Sequence, residues 1–197
     1  MPATQESKSG TTTRKRRSSG KKIDLACGQN KRPGFIGIDI AGDADIIHDL
    51  FRFPWPLEDD SVREIYCSHF IEHLPHHIFK FENTRDVWFM FFDEVYRICR
   101  NKAKLTFIHP YVRNDRAFWD PTHVRFISEV TWYYLDKNWR KAQGLDHYPA
   151  NHDFEVTLIE APLNDRLMTR NPEYQQLARD TWWNAVGDLT VILKARK

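Results

Sequence analysis

From residue 21 onward, short apolar runs alternate with stretches of helical periodicity. No other feature of the sequence restricts the possible folds as much as this alternation. The strand-like runs are KKIDLAC, GFIGIDI, ADIIHDL, VREIYCSH, AKLTFIHP, DFEVTLIEAP and DLTVILKAR. The helix-like stretches are TRDVWFMFFDEVYRICRN, SEVTWYYLDKNW and PEYQQLARDTWWNAV. Such alternation is typical of a mostly parallel sheet with helices on both faces. We therefore predict one α/β, Rossmann-like domain over residues 21–197.

Residues that favour helix starts precede two of the helical stretches. Thr84 can cap the first helix, with Asp86 in its first turn, and Ser128 is the expected cap of the second.

The first 20 residues differ from the rest of the chain in composition. Residues 1–22 hold seven basic residues and one acidic residue, a net charge of +6, whereas the whole chain carries +2. With almost no apolar side chain, residues 1–20 are predicted to be a disordered basic tail. Residues 14–22 can bind nucleic acid or an acidic partner, but a solubilising tail without a partner explains them better. The remaining body has no basic run that indicates a nucleic-acid face.

The composition also bears on location and on cysteine chemistry. No run approaches the roughly 18 apolar residues of a membrane span, and the N-terminus is polar, so we expect a soluble, cytoplasmic protein with no membrane partner. Cys27, Cys67 and Cys99 are odd in number, far apart and in apolar surroundings. They are interpreted as reduced core thiols.

Candidate ligand-binding residues follow the first four predicted strands. Gly28 ends the turn DLACG, where a backbone comes close to a ligand, and Asp39 offers a carboxylate to two ribose hydroxyls. The third strand is followed by residues 48–50, and the fourth ends at Ser68 and His69. Ligands bind outside the carboxyl ends of parallel strands, so the order of these residues indicates one site.

The stretch SHFIEH contains H-x-x-E-H, the pattern of one group of zinc metallopeptidases. Zinc binding there needs His69 and His73 on one face of a sustained helix. His69 directly follows a strand, and Pro75 leaves room for scarcely more than one helical turn. We therefore predict no metal site and keep a metallopeptidase as a remote alternative.

Four segments, which cover about residues 23–140, resemble class I S-adenosylmethionine-dependent methyltransferases of the small type 11-like group. They are DLACGQNKRPGFIGIDI, ADIIHDLFRFPWPLEDDSVREIYCSHFIEHL, FFDEVYRICRNKAKLTFIHPY and FWDPTHVRFIS. The most specific part is P-W-P-L-x-D-x-S-V, followed by a strand and S-H-x-x-E-H-L. The resemblance implies the class I fold, S-adenosyl-L-methionine as cofactor and methyl transfer as the activity.

The resemblance also implies roles for individual residues. It implies that the methionine part of the cofactor is bordered by Leu25, Ala26, Cys27 and Gly28 and that its carboxylate faces Lys31. It implies that the ribose is held by Asp39 and the adenine bordered by Asp49 and Leu50. The sulfonium is expected to lie beside Ser68 and His69.

Two features depart from the family pattern. Ala26 stands where the family usually has glycine, and we expect the small methyl group to be tolerated. The connection from Gly28 to Phe35 is too short for the usual helix, because parallel crossovers commonly take a dozen residues or more. We expect a compressed first crossover.

The acceptor is predicted to be a small molecule methylated on an O or N atom, such as a sugar or another hydroxylated metabolite. The sequence CSHF at the end of the fourth strand lacks the motifs of DNA amino-methyltransferases and cytosine-C5 enzymes. Two alternatives remain: a nucleic-acid methyltransferase that uses the basic tail, and an inactive cofactor-binding interaction module.

The segment IHPYVRNDRAFWDPTHVRFIS follows the fifth strand and is expected to overhang the methyl-donor site. His109 or His123 is predicted to accept the acceptor's proton, and Asp120 to orient the histidine or bind a substrate hydroxyl. Local hydrogen bonding in a turn is the competing explanation. Three arginines are candidates for an anionic part of the acceptor: Arg113, Arg116 and Arg125.

Overall fold

The computed structural model describes residues 20–77 and 85–197, in which seven strands form one sheet. The strands are β1 Lys21–Leu25, β2 Ile36–Asp39, β3 Ile46–Ile47, β4 Val62–Ser68, β5 Cys99–Pro110, β6 Phe154–Glu160 and β7 Asp188–Ala195. The helices are α1 Val87–Ile98, α2 Arg116–Trp119, α3 Glu129–Tyr133, α4 Lys137–Ala142, α5 Asp165–Met168 and α6 Pro172–Thr181, with a 3-10 turn at Ile71–His73. Most of the predicted tail, residues 1–19, and the predicted cap Thr84 lie outside the described residues.

The strand order is β3-β2-β1-β4-β5-β7-β6. The first five strands in this order are parallel, and β7 runs antiparallel to both β5 and β6. The order reverses between β1 and β4, which is the topological switch point where α/β sheets bind ligands. The predicted Rossmann-like class is confirmed. Within the described ranges, no helix is both long enough and apolar enough to cross a membrane.

Helix α1 and helix α3 cover one face of the sheet with aromatic side chains. Phe92 of α1 lies 5.4 Å from Phe107 of β5, ring centre to ring centre, and Trp132 of α3 lies 5.3 Å from the same ring. All three side chains are fully buried. Aromatic pairs at this spacing add to the stability that comes from burial alone. The main core therefore lies between these helices and the middle of the sheet.

The opposite face has a thinner cover. Tyr66 and Thr106 point to this face and are half-buried, whereas their strand neighbours Cys67 and Phe107 are buried. The connections 26–35 and 40–45 contain no helix, which confirms the predicted compressed first crossover. The helical cover expected on both faces is therefore uneven, because the crossovers that usually supply it are too short.

Local capping explains where the helices begin. Asp86 is the N-cap of α1, and its carboxylate accepts a hydrogen bond from the Trp88 N–H at 2.8 Å. Ser128 is the N-cap of α3, as predicted. The predicted helix over residues 128–139 is in fact two helices, because the Asp136 carboxylate caps α4 by accepting the N–H of Asn138 at 2.8 Å.

A buried carboxylate attaches the long β3–β4 connection to α1. Glu94 is 7% exposed, and its Oε1 accepts the backbone N–H of Trp55 at 2.6 Å. The Arg97 guanidinium donates to Glu94 Oε2 at 2.9 Å, and this pairing raises the pKa of Arg97. The Trp55 indole N–H in turn donates to the Leu50 carbonyl at 3.1 Å. The position of Leu50, a predicted site residue, thus depends on Glu94.

Replacing Glu94 by alanine should lower the free energy of unfolding by about 2–4 kcal/mol, because it leaves a buried N–H without its acceptor and removes one of the two carboxylates that pair with Arg97. Urea unfolding measures the change. Glu155→Ala is the control, since Glu155 and Lys194 form an exposed pair at 3.6 Å. The control should change stability by less than about 0.5 kcal/mol. Equal losses in both variants would contradict the role of Glu94.

Candidate functional site

Two cavities meet at Ala26, where β1 ends. The smaller, about 270 Å³, is lined by Asp24, Ala26, Cys27, Asn30, Tyr66 and Ser68. The larger, about 490 Å³, is lined by Ala26, Asp39, Ile40, His48, Asp49, Leu50, Phe51, His69, Phe70 and His73. The structure thus brings together most of the residues predicted to hold a cofactor. A third cavity, about 510 Å³, lies along α1 and α3, away from the strand ends.

The turns at this edge use left-handed backbone conformations. Ala26 has φ 54°, Gly28 has φ 52° and His69 has φ 53°. Glycine adopts this region freely, whereas a residue with a Cβ atom does so at a cost of roughly 1–2 kcal/mol. Ala26 therefore keeps the turn despite its methyl group. The same conformation at His69 turns the chain sharply out of β4.

Asp39 is held in a fixed orientation at the end of β2. Its Oδ2 accepts the Gly28 N–H at 2.9 Å, and its Oδ1 accepts the Ile40 N–H at 2.7 Å. These bonds join the turn after β1 to the turn after β2. Each carboxylate oxygen can accept further hydrogen bonds, so Asp39 can still bind a diol.

Leu25, Gly28 and Lys31 are predicted cofactor-binding residues that line neither cavity. Lys31 Nζ lies 2.9 Å from both carboxylate oxygens of Asp45, which also accepts the Gly37 N–H at 2.8 Å. This hydrogen bonding raises the pKa of Lys31 and lowers the pKa of Asp45. Lys31 is therefore not among the residues that line either cavity. Leu25, the last residue of β1, is a fully buried core residue directly before the turn at Ala26.

Asp24 lines the candidate site and was not predicted from the sequence, and Arg32 lies next to it. Asp24 lines the smaller cavity, is 3% exposed and accepts the Arg32 N–H at 2.7 Å, and its burial raises its pKa. The Arg32 guanidinium lies 4.4 Å from the centre of the Tyr66 ring, which lines the same cavity. An acidic residue in the middle of a buried strand was the sequence signal that could have identified Asp24.

The segment after β5 overhangs the carboxyl edge because it is attached to the chain that follows β4. The N–H groups of Val124 and Arg125 donate to the Glu72 carbonyl at 3.0 and 3.1 Å. Arg125 Nε donates to the Leu74 carbonyl at 2.6 Å. This attachment carries His123 to the site.

His109 does not face the site. It is fully buried, with Nδ1 2.9 Å from the Pro110 carbonyl and Nε2 3.2 Å from the Trp132 indole N–H. Burial lowers its pKa to about 4. Both ring nitrogens are therefore occupied within the core, and the geometry does not place His109 where it can accept a proton from an acceptor.

Asp120 orients a threonine and not His123. Its Oδ1 accepts the N–H and the hydroxyl of Thr122, at 2.8 and 2.7 Å, which lowers the pKa of Asp120. His123 Nδ1 instead lies 3.1 Å from the Ala117 carbonyl. The Asp120 carboxylate thus makes local hydrogen bonds within its turn, which was the competing explanation, whereas a main-chain carbonyl orients His123.

The three arginines predicted for acceptor binding are bound within the protein. Arg113 donates to the Asp180 carbonyl at 2.8 Å, Arg116 Nη1 lies 3.0 Å from both Asp188 oxygens, and Arg125 spans the Leu74 and Pro75 carbonyls. Their positive charges stabilise the loops around the site, and none of the three lines the two cavities that meet at Ala26.

Glu72, His73 and His123 form a cluster beside the larger cavity. Their potential ligand atoms all lie within 4.8 Å of one another. His69 Nδ1 lies 3.4 Å from Glu72 Oε1, and this carboxylate raises the pKa of His69. Between His69 and residue 77, where this described range ends, the chain forms one 3-10 turn and not the helix of an H-x-x-E-H metallopeptidase.

Comparison with known proteins relates the fold to methyltransferases. No family model matches the sequence, and no curated protein sequence does. Among solved structures, an S-adenosylmethionine-dependent methyltransferase from Archaeoglobus fulgidus matches with a TM-score of 0.60 and 18% identity, over 89% of this chain and 86% of that one. Another such enzyme, from Mesorhizobium loti, matches with a TM-score of 0.50 and 14% identity, over 88% and 90% of the two chains.

A third similar structure contains a bound cofactor product. It is the geranyl diphosphate C-methyltransferase from Streptomyces coelicolor A3(2), solved with Mg²⁺, geranyl-S-thiolodiphosphate and S-adenosyl-L-homocysteine. It matches with a TM-score of 0.52 and 10% identity, over 90% of this chain and 70% of that one. The chain therefore has the class I methyltransferase fold, as predicted.

The buried, neutral His109 should make the protein sensitive to acid. Its pKa is about 4 in the folded protein, below the ordinary 6.5, because burial outweighs the nearby carboxylates Glu72 and Asp188. Protonation therefore favours the unfolded chain, and the contribution of His109 is lost as pH falls from about 6.5 towards 4. Between pH 7 and pH 5 the wild type should lose about 2 kcal/mol more stability than His109→Gln.

Urea unfolding at the two pH values measures this difference. The exposed His147 provides the control, since His147→Gln should keep the wild-type pH dependence. An unchanged dependence in His109→Gln would show that the core histidine does not titrate in this range.

Proposed function

We propose that this chain is an S-adenosylmethionine-dependent methyltransferase that acts on an O or N atom of a small acceptor, such as a sugar or another hydroxylated metabolite. One observation carries the proposal. Two cavities meet at Ala26, at the switch point of a class I fold, and Asp39 lines the larger one with its carboxylate fixed by the Gly28 N–H. This arrangement fits a ligand that has a diol in its middle.

The lining of each cavity fits one part of the cofactor. In the larger cavity, Asp39 would bind the ribose hydroxyls, while Leu50 and Phe51 would pack on the adenine beside Asp49. Phe51 stacks on Phe70 at 5.6 Å, which gives this cavity an aromatic wall. The S-adenosyl-L-homocysteine bound by the Streptomyces coelicolor protein supports the same ligand class.

The smaller cavity would take the methionine part. Asp24 and Asn30 offer oxygen atoms to an ammonium group, and Arg32 lies close by on Tyr66. Ala26 and Ser68 border the junction, where the sulfonium would lie. The bound cofactor supplies an activated methyl group. The protein's main contribution is to align the acceptor with it, and such alignment is worth on the order of 7–11 kcal/mol in good cases.

Exposed aromatic rings next to His123 support a ring-containing acceptor. Phe118 stacks on Phe126 at 4.5 Å and lies 5.9 Å from Trp183. The three side chains are 49%, 49% and 51% exposed. Ala117, the residue before Phe118, provides the carbonyl that orients His123. We propose that these rings receive the flat apolar face of the acceptor.

Of the three predicted catalytic residues, His123 is the one that we propose to act on the acceptor. Within the described ranges, no hydrogen bond engages its Nε2, and the side chain is 10% exposed. We propose that Asp120 acts indirectly, since its hydroxyl partner Thr122 contacts His73 at 2.9 Å. His109 has a structural role.

Transfer of a labelled methyl group tests the proposed activity. The protein is incubated with labelled S-adenosyl-L-methionine and with three acceptor pools: a mixed small-molecule extract, DNA and RNA. We expect label in the small-molecule fraction alone. Label in nucleic acid would support the alternative that uses residues 14–22. Cofactor binding without any transfer would support an inactive interaction module.

Asp39→Ala should weaken the binding of S-adenosyl-L-homocysteine by about 100-fold or more. The reason is the loss of two charge-assisted hydrogen bonds, each worth roughly 1.5–3 kcal/mol. Calorimetric titration measures the affinity, and a thermal melt confirms folding. Asp43→Ala, an exposed position in the turn after β2, should leave the affinity unchanged. No binding by the wild type would overturn the proposal.

His123→Ala should reduce turnover by about 100-fold or more while cofactor affinity stays within about twofold, because His123 faces the acceptor and not the ribose. His147→Ala is the matched surface control and should keep full turnover. Full activity of His123→Ala would rule out an acceptor-side role. A parallel loss of cofactor affinity would instead indicate a role in forming the pocket.

A further inference from the structure

Among the described residues, the buried carboxylate of Glu72 lacks the partners that would compensate its charge. It is 2% exposed, and within the described ranges neither carboxylate oxygen has a hydrogen-bond partner. A buried carboxylate without donors is costly, and proteins avoid this by pairing it or coordinating a metal. The nearest positive partner is His69, whose Nδ1 at 3.4 Å is too far for a strong charge-assisted bond.

The hydrogen bonds of His73 leave one ring nitrogen ready to act as a ligand. The Thr122 hydroxyl donates its proton to Asp120 Oδ1 at 2.7 Å. Its oxygen must therefore accept from His73 Nδ1, which lies 2.9 Å away. Nδ1 of His73 thus carries the proton, and Nε2 keeps its lone pair.

His123 is prepared in the same way. Its Nδ1 lies 3.1 Å from the Ala117 carbonyl, which can only accept, so Nδ1 carries the proton and Nε2 keeps the lone pair. That Nε2 lies 4.0 Å from Glu72 Oε1. Metal-binding histidines are oriented by such bonds from the other ring nitrogen to a carbonyl or to a group held by a carboxylate.

We propose that Glu72, His73 and His123 bind one divalent ion of the zinc class. Two imidazole nitrogens and one carboxylate oxygen are the ligand set of a catalytic zinc site, which keeps a further position open. The ligand atoms lie within 4.8 Å of one another, and tetrahedral zinc with bonds of about 2.0–2.1 Å needs separations of about 3.3 Å. The ligand atoms therefore have to move closer together when the ion binds.

This ligand set argues against the sequence-based prediction of no metal site. It also differs from the H-x-x-E-H pattern, whose two histidines bind zinc while its glutamate acts on the attacking water. His123 lies 50 residues beyond His73 and replaces His69 in the set. His73 also lines the larger cavity, so the ion would lie against its wall. If the proposed methyl transfer is correct, the open position would take an acceptor oxygen, and His123 would act on the acceptor through the ion, since its Nε2 would no longer be free to accept a proton. These consequences alone rest on the proposed function.

Metal titration of the full chain tests the site without any cofactor. The protein is stripped with a chelator and titrated with Zn²⁺ by calorimetry, and with Co²⁺ by visible absorption. We expect one tight Zn²⁺ per chain, intense Co²⁺ bands of a tetrahedral site and much weaker Mg²⁺ binding, because imidazole ligands favour zinc-class ions. A chain that binds no Zn²⁺ tightly would overturn the proposal.

Single variants locate the ion. We expect a Zn²⁺ affinity lower by about 100-fold or more in each of Glu72→Gln, His73→Ala and His123→Ala. Thr122→Val should lower it by about 10-fold or more, because His73 loses the hydroxyl that orients its ring. His147→Ala, a matched surface change, should have no effect. If His69→Ala lost Zn²⁺ binding while His123→Ala kept it in full, the ligands would be those of the H-x-x-E-H pattern, and the proposal would be overturned.

The isosteric Glu72→Gln keeps the test valid if an alanine variant fails to fold, and circular dichroism monitors folding in every case. Tight Zn²⁺ binding that all three ligand variants retain would place the metal elsewhere and contradict the site. Calorimetry with S-adenosyl-L-homocysteine on chelator-treated protein keeps the two proposals separate, because the metal site and the cofactor site can each fail alone.

Discussion

The hydrogen bond from the Gly28 N–H to the Asp39 carboxylate is the interaction on which the site depends. It joins the turns after two neighbouring parallel strands, β1 and β2. It also fixes a carboxylate in the larger of the two cavities that meet at Ala26. The left-handed conformations of Ala26 and Gly28 make this approach possible. One side chain thereby shapes the turn and presents an acceptor to a ligand.

Because the first crossovers are short, helices α1 and α3 cover one face of the sheet well, and the other face has less helical cover. The aromatic layer of α1 and α3 packs on one face of the sheet as part of the buried core, and Glu94 attaches the connection that carries Leu50 to this layer. On the thinner face, polar groups take the place of a helix. Asp24 binds the Arg32 N–H there, and the Arg32 guanidinium lies on the Tyr66 ring. The compressed turn is thus a source of site residues.

The acceptor side is assembled by a contact that joins distant segments. The carbonyl of Glu72 receives two N–H groups from the loop at residues 124–125, while its carboxylate faces His123 from the same loop. Thr122, in this loop, sets the protonated nitrogen of His73. One attachment therefore brings together the aromatic rings proposed for the acceptor and the ligand set proposed for a metal. The two proposals concern neighbouring parts of one surface.

The sequence by itself determined the fold class, the compressed crossover and the strand-end positions of Ala26, Asp39 and Ser68, because apolar periodicity and turn residues act locally. Only the tertiary structure decided how side chains pair. Lys31 meets Asp45, His109 is bound by Trp132, and Thr122 meets His73 across 49 positions. Periodicity holds no information on such contacts. A histidine becomes a buried core group or a free ligand according to what the rest of the chain packs against it.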